Sequence, residues 1–253
     1  MNEKYFLDFK EYLNSRGIEL VKSFRQDEEY REPLSKDSIY KQLYTISKFH
    51  KLTMGVSAFN SGLMENCTGR RVERWKVKNK KLKRDLARYK KEGPANDFEK
   101  LLLDRGPEYL ERAEQAIKYI YDNGYYGLIE RSMKRNEICI GSTYFDNLRE
   151  DKRINIRSLK KCCYNMIECD AVHFISKLKK RGYSLDFIEA IKIFCHLEGL
   201  SNDSQAFITA MVSYPEEFIK CCERYRYGKK QWNDDEYAKR LLIAIKKDGK
   251  SLL

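Results

Sequence analysis

Only four prolines interrupt this chain of 253 residues, Pro33, Pro94, Pro107 and Pro215, and each stands where a helix would start or a connection would end. Proline removes a backbone donor and breaks helix interiors, so its scarcity leaves long stretches able to be helical. The apolar spacing follows suit. Tyr5, Phe6, Phe9 and Leu13 form an i, i+3/i+4 stripe closed by Gly17. Ser35-Lys36-Asp37 can cap a helix whose stripe is Ile39, Leu43, Ile46 and Phe49, with Gly55 as its stop. Pro94-Ala95-Asn96-Asp97 predicts a short helix through Leu103, and Gly106-Pro107 predicts the start of another, carrying Tyr109, Leu110, Ala113 and Ile120 and ended near Gly124. The same grammar recurs over 184–197, 203–212, 214–225 and 234–245.

The middle of the chain is the exception. Ile138-Cys139-Ile140-Gly141 is a short apolar run ending in glycine, and 154–159 alternates apolar and polar residues. Both read as short strands bracketing the loop 142–153. The expected fold is mainly α with a small β hairpin. No Gly/Ser/Pro linker or fixed-period repeat marks a second independent domain. An apolar share of 42% over this length can bury a core without disulfide staples. No apolar run approaches the roughly 18 residues that span a bilayer, and the charged start MNEKYFLDFKEYL lacks the apolar region of a signal peptide, so the expectation is a protein cytoplasmic at synthesis. The eight cysteines, Cys67, Cys139, Cys162, Cys163, Cys169, Cys195, Cys221 and Cys222, make no repeated C-x-x-C pair and read as reduced, mostly buried small hydrophobes rather than a metal site.

Net charge is +12, and its placement says more than its total. The segment 70–91 holds 12 basic residues against Glu73 and Asp85, a local +10. Val72, Trp75, Leu82, Leu86 and Tyr89 give it an apolar stripe at roughly helical spacing, interrupted around Lys78 to Lys80. One basic amphipathic helix, or two with a hinge, is expected. The segment reads as a solvated helix on a core, as a docking face for an acidic partner through Arg70, Arg71, Arg74, Lys80, Lys81, Lys83, Arg84 and Lys91, or as a surface for nucleic acid or anionic lipid. No zinc-finger spacing and no aromatic-basic RNA-binding strand accompanies it.

Catalytic motifs are sparse. His50, His173 and His196 belong to no H-E-x-x-H pattern, and each reads as a partnered structural histidine before a metal ligand. No G-x-S-x-G elbow, phosphate-binding G-x-x-x-x-G-K-[ST] loop or G-x-G-x-x-G turn occurs.

Four collinear stretches nevertheless carry a resemblance. ICIGSTYFDNL, from Ile138 to Leu148, resembles the catalytic-loop segment "CHGDxxxxN" of aminoglycoside phosphotransferase-like kinases, and most closely the CotS-type bacterial spore coat branch of that protein-kinase-like superfamily. QLYTISKFHKLTMGV resembles the family's helix ending in Phe-His before a glycine. IECDAVHFISKL resembles its helix after the metal-binding strand, and SYPEEFIKCCERYRYGKKQWNDDEYAKRL its C-terminal "YPxxFxxxxxxYYxxKKxW" signature. The likeness spans roughly residues 38–247. It implies a kinase-like helical C-lobe over 38–253, with 1–37 as a remnant or cover segment in place of most of the N-lobe.

Phosphoryl transfer of this kind asks for an Asp at the acceptor hydroxyl, an Asn and a carboxylate on the metal ions, and an N-lobe lysine under a phosphate-covering loop. Carried over by the resemblance, Gly141 matches the family glycine, Ile140 stands at the histidine position, and Ser142 stands at the catalytic Asp position. Asn147 matches the metal-binding Asn, and Ser158 stands at the second metal carboxylate, with Asn155 and Arg157 as polar neighbours. A kinase-like N-lobe needs roughly 80–100 residues, against about 37 ahead of the first matched helix; Lys22, in the stretch 18–24, is the one phosphate-lysine candidate there.

The resemblance therefore implies a degenerate, non-catalytic pseudokinase, without cofactor or catalytic metal, acting through protein partners in sporulation or in the spore coat. The alternatives are a residual ATP-dependent small-molecule phosphotransferase, in which Asp146 or Asp151 replaces the missing base, and a nucleic-acid-binding helical domain using 70–91. If residues 1–37 take the place of an N-lobe, they or another subunit must cover the surface near Phe49, Ile140 and Tyr144.

Overall fold

A computed structural model describes residues 9–24, 34–56 and 64–253. Tyr5, Phe6 and Pro33 lie outside that set. Two compact units divide the chain, one formed by 1–69, 124–177 and 185–208, the other by 70–123, 178–184 and 209–253.

The first unit opens with α1 (Phe9–Ser15), which ends at Gly17 with φ +75° and leads into β1 (Ile18–Leu20). Ser35 caps α2 (Lys36–Thr53): its hydroxyl accepts the Ser38 backbone N–H, and the predicted stripe of Ile39, Leu43, Ile46 and Phe49 is buried. The unit continues with α5 (Tyr125–Arg135), β2 (Ile138–Cys139), β3 (Leu148–Glu150), β4 (Ile154–Ile156), β5 (Cys163–Tyr164), most of α6 (Glu168–Lys180), α7 (Phe187–Glu198) and the start of α8 (Asn202–Ser213). The two apolar runs of the middle are strands, but they are not partners. β2 pairs antiparallel with β5, whereas β4 pairs antiparallel with β3 and parallel with β1, in the order β1-β4-β3. The expected single hairpin is thus two small sheets. The reason lies in the loop 142–153, which contains β3: Leu148 faces Ile156 and Glu150 faces Ile154, so β4 finds a nearer antiparallel neighbour than β2. Helix α5 was not anticipated. It starts one residue after Gly124, whose φ of +70° is left-handed, and ends at Asn136, also left-handed.

The second unit contains α3 (Arg70–Glu92), α4 (Asp97–Asp122), the end of α8, α9 (Glu216–Arg226) and α10 (Asp234–Asp248). α3 is one unbroken helix. Its stripe is interrupted at Lys78 to Lys80 only in hydrophobicity, because Asn79 is buried there and accepts the Tyr214 hydroxyl at 2.9 Å. Trp75 stacks on Tyr214, with ring centroids 3.6 Å apart, and its Nε1 donates to Glu216. The two helices expected on either side of Gly106-Pro107 are a single helix, α4, with Pro107 inside it. Proline costs one backbone bond there. The helix runs through because its apolar face is continuous, from Phe98 and Leu102 to Tyr109, Ala113, Ala116 and Ile120, and because α3 packs against it closely: a Cβ on Gly106 would lie 2.6 Å from Leu86 Cδ2.

All eight cysteines are free thiols, five of them buried. Burial pushes the thiol of Cys195 up to about 12 and that of Cys221 up to about 11, so both stay protonated and unreactive near neutral pH. No helix among the described residues is long and apolar enough to cross a membrane.

Candidate functional site

The segment between β2 and β3 that resembles a catalytic loop is anchored from two helices. Asp170, in the first turn of α6, is wholly buried and accepts the backbone N–H groups of Ile140 at 2.7 Å and Gly141 at 2.8 Å. Gly141 has φ +69°, and a Cβ there would collide with the Lys161 carbonyl oxygen, so the turn after β2 requires glycine. Further along, Thr143 donates its hydroxyl to the Asp170 carbonyl at 3.0 Å and its N–H to His173 Nδ1 at 3.2 Å, which leaves the His173 proton on Nε2. From α2, the buried Gln42 donates both amide hydrogens to the loop, to Thr143 O at 2.7 Å and Leu148 O at 3.0 Å.

Asp170 is itself held by His50, the last-turn histidine of α2. His50 lies between two carboxylates, with Nε2 3.1 Å from Asp170 and Nδ1 2.6 Å from Glu198 at the end of α7. All three side chains are shielded from solvent, and the Phe49 and Phe194 rings meet the imidazole edge to face. Desolvation opposes its charge, but the two carboxylates outweigh it and raise the His50 pKa to about 10. His50 is thus an imidazolium, and its charge answers much of the burial cost of two anions. A second buried network braces the start of the loop: Arg131 on α5 bonds Glu137 through Nε at 3.0 Å and Glu168 through a terminal nitrogen at 2.8 Å, while Ser204 donates to Glu168.

The three positions that the resemblance aligns with catalytic ones, Ser142, Asn147 and Ser158, come together. Asn147 is buried, and its side-chain amide donates to the backbone oxygens of Ser142 at 2.9 Å and Ser158 at 3.2 Å. Both amide hydrogens are thereby committed to main-chain acceptors. Neither Ser142 nor Ser158 carries the carboxylate that a metal cage of this kind would need; both meet Asn147 through their backbone oxygens, and the Ser158 hydroxyl accepts the Lys160 N–H. Asn155 turns its amide to the Arg153 carbonyl, and Arg157 is exposed. Asp146 is exposed and paired with Lys177 Nζ at 2.8 Å, whereas Asp151 sits in the solvent-facing turn before β4. Lys22 lies two residues beyond β1, itself hydrogen-bonded to β4.

Of the docking candidates on α3, Arg70, Arg74, Lys80, Lys83, Arg84 and Lys91 face solvent. Arg71 lies over the Trp75 ring, and Lys81 donates to the Tyr227 hydroxyl at 2.6 Å. Lys78 turns inward to Glu216 and Glu223. Among the described residues no cluster of three or more His, Cys, Asp or Glu side chains is arranged to hold a metal ion.

Sequence reading passed over Gln42, Glu198 and the part played by Asp170. A signal existed for Asp170 and for its partner His50. His50 continues the buried stripe 39-43-46, and Asp170 shares a face with Ile167, Phe174 and Leu178; polar groups on an apolar stripe must find partners.

No protein-family model matches the chain, and no curated protein matches it. Among solved structures, the crystal structure of an aminoglycoside phosphotransferase from Alicyclobacillus acidocaldarius subsp. acidocaldarius DSM 446 is similar, with a TM-score of 0.67 and 12% sequence identity. The similarity covers 84% of this chain and 63% of that one. At that identity the likeness concerns the fold alone: this mostly helical chain with its small sheets has the kinase-like fold of an aminoglycoside phosphotransferase.

Proposed function

We propose that the chain is a non-catalytic, pseudokinase-like protein that acts by binding other proteins. The carrying observation is Asn147, whose amide closes on the Ser142 and Ser158 carbonyls. An acceptor hydroxyl needs a base and a phosphoryl oxygen needs a metal or cation, and each such group contributes several kcal/mol to transition-state stabilisation, on the order of 3 or more. Serines at both carboxylate positions supply neither. The architecture around the loop supports a scaffold instead: Asp170 and Gln42 bond the loop backbone directly, and His50, paired with Glu198, holds Asp170 in place.

Residues 1–37 are proposed as the cover of the face that an N-lobe would meet. In support, Phe49, Ile140 and Tyr144 are buried, β1 adds to β4, and Tyr12 donates to the Leu52 carbonyl at 3.0 Å. The docking surface proposed for an acidic partner is the solvent face of α3 with Lys80, Lys83, Arg84 and Lys91. A setting in sporulation or in the spore coat rests on the resemblance of the four motifs and belongs to the same proposal.

Isothermal titration with ATP and Mg²⁺ tests this reading: no saturable heat at millimolar nucleotide is expected, and a metal-dependent binding isotherm would refute it in favour of a residual phosphotransferase.

A further inference from the structure

In the second unit, α9 and α10 pack together and leave a half-open cavity of about 250 Å³ between them. Helical spacing builds both walls. Glu217, Cys221 and Arg224 stand at i, i+4 and i+7 on α9, while Arg240, Ala244 and Lys247 stand at i, i+4 and i+7 on α10. Lys230 and Trp232, from the connection between the helices, close one end.

The floor is apolar, made of the buried Cys221 and Ala244, and Ile243 adds an exposed aliphatic side chain. Around it stand four cations, Arg224, Lys230, Arg240 and Lys247, against one carboxylate. That carboxylate is already answered from outside the cavity: Lys180 and Lys220 reach Glu217 at 2.8 and 3.3 Å and hold its pKa down to about 2. Arg240 pairs with Glu236 and lies over the Trp232 ring. Among the described residues Arg224, Lys230 and Lys247 have no carboxylate partner. Three cations without a carboxylate partner, Arg224 half-buried and Lys230 and Lys247 exposed, rim an apolar, aromatic-walled hollow and make it complementary to an anion with an apolar body.

We propose that this cavity is a binding site for an aryl phosphate, a phosphate dianion carried on a flat apolar body. The phosphate would meet Arg224, Lys230 and Lys247, with the arginine able to form a two-pronged contact. The aromatic body would lie against Trp232 and Ile243, above Cys221 and Ala244. The same chemistry is offered by a free aryl phosphate ester and by a phosphorylated tyrosine side chain in a partner. Neither requires the Ser142-Asn147-Ser158 site, which belongs to the first unit.

Titrating phenyl phosphate while following tryptophan fluorescence tests the proposal, because Trp75 is buried in its stack on Tyr214 and Trp232 is the indole lining the cavity. Saturable binding is expected, about tenfold tighter than for inorganic phosphate or for phenol, and weakened about tenfold by Lys247→Gln or by Arg224→Gln. Lys247 is exposed, so its variant keeps the fold, and calorimetry with Trp232→Leu supplies a readout independent of fluorescence. A phosphotyrosine peptide binding more tightly than phenyl phosphate would assign the site to a partner, and equal affinities to the free ester. Absence of saturation, equal affinity for inorganic phosphate, or undiminished binding by both charge variants would overturn the proposal.

Discussion

Replacing His50 with glutamine keeps a side chain that can donate to one of the two carboxylates but removes the cation that lies between Asp170 and Glu198. Asp170 would keep the Ile140 and Gly141 N–H groups, but neither buried acid would then face the imidazolium, and breaking a buried ion pair in this way costs about 3–5 kcal/mol. The titration of His50 gives a second route to the same magnitude. Its pKa moves from 6.5 when exposed to about 10 in the folded chain. At about 1.4 kcal/mol per unit, that difference corresponds to stabilisation on the order of 4–5 kcal/mol. Because the folded value is the higher one, the stabilisation is complete below about pH 6.5 and is lost as pH rises through about 10. For a chain of this size, a loss of that order lowers the melting temperature by roughly 10 °C. Urea denaturation of the wild type and His50→Gln at pH 6 and pH 9.5 is the assay. The gap between them should be widest at pH 6 and shrink at pH 9.5; other groups titrating at high pH are common to both proteins and cancel. A gap under about 1 kcal/mol at pH 6, or one that does not change with pH, would refute the assignment of His50 as a charged tie between α2, α6 and α7.

Four further outcomes follow from named contacts. Gly106→Ala places a methyl 2.6 Å from Leu86 Cδ2, the tip of a half-buried side chain that must swing aside, against the roughly 0.5–1 kcal/mol that alanine gains over glycine inside a helix, so thermal denaturation should show a net change within about 1 kcal/mol; a loss of about 3 kcal/mol or more would mean that Leu86 cannot yield. Asn147→Ala should lower stability by about 1–3 kcal/mol, through the loss of the donor to Ser142 O and Ser158 O, without altering nucleotide affinity measured by titration. Asp248, which accepts the Glu217 and Phe218 N–H groups, has a pKa raised by burial from 3.8 to about 6, so it contributes stability below about pH 3.8 that is lost as pH rises through 6; Asp248→Asn should remove that slope from denaturation curves. Reversing the charge of Lys80, Arg84 and Lys91, all solvent-facing, should leave stability within about 0.5 kcal/mol each while abolishing capture of an acidic partner; a steep salt dependence of RNA or DNA affinity in the wild type would instead move the function of α3 to nucleic acid.

Local sequence signals were most legible where one face of one helix decides the outcome. Ser35 and the stripe from Ile39 to Phe49 gave α2 and its cap, and the pattern from Val72 to Tyr89 placed α3 on its core. Legibility failed where a distant partner decides. Gly106-Pro107 reads as a helix boundary, but Leu86, some twenty residues away in sequence, packs over the glycine, and the buried face on both sides carries the helix past the proline. β2 and β4 were recognisable as strands, yet their partners β5, β3 and β1 follow from pairings between distant segments. At the candidate site, motif resemblance marked Ser142, Asn147 and Ser158, and the structure brings them together. The second tier, Gln42, His50, Asp170 and Glu198, was harder to read because its meaning lies in contacts between distant segments, about 30 residues apart for Asp170 and the loop and more than a hundred for Gln42 and His50.

The central claim, that this kinase-like fold serves binding and not phosphoryl transfer, is tested most directly by phosphate release from Mg²⁺·ATP, compared between the wild type and Asn147→Ala. The account predicts that neither protein releases phosphate above the rate of nucleotide alone. Release by the wild type that collapses in the folded Asn147→Ala variant would show that the site still works, and would contradict it.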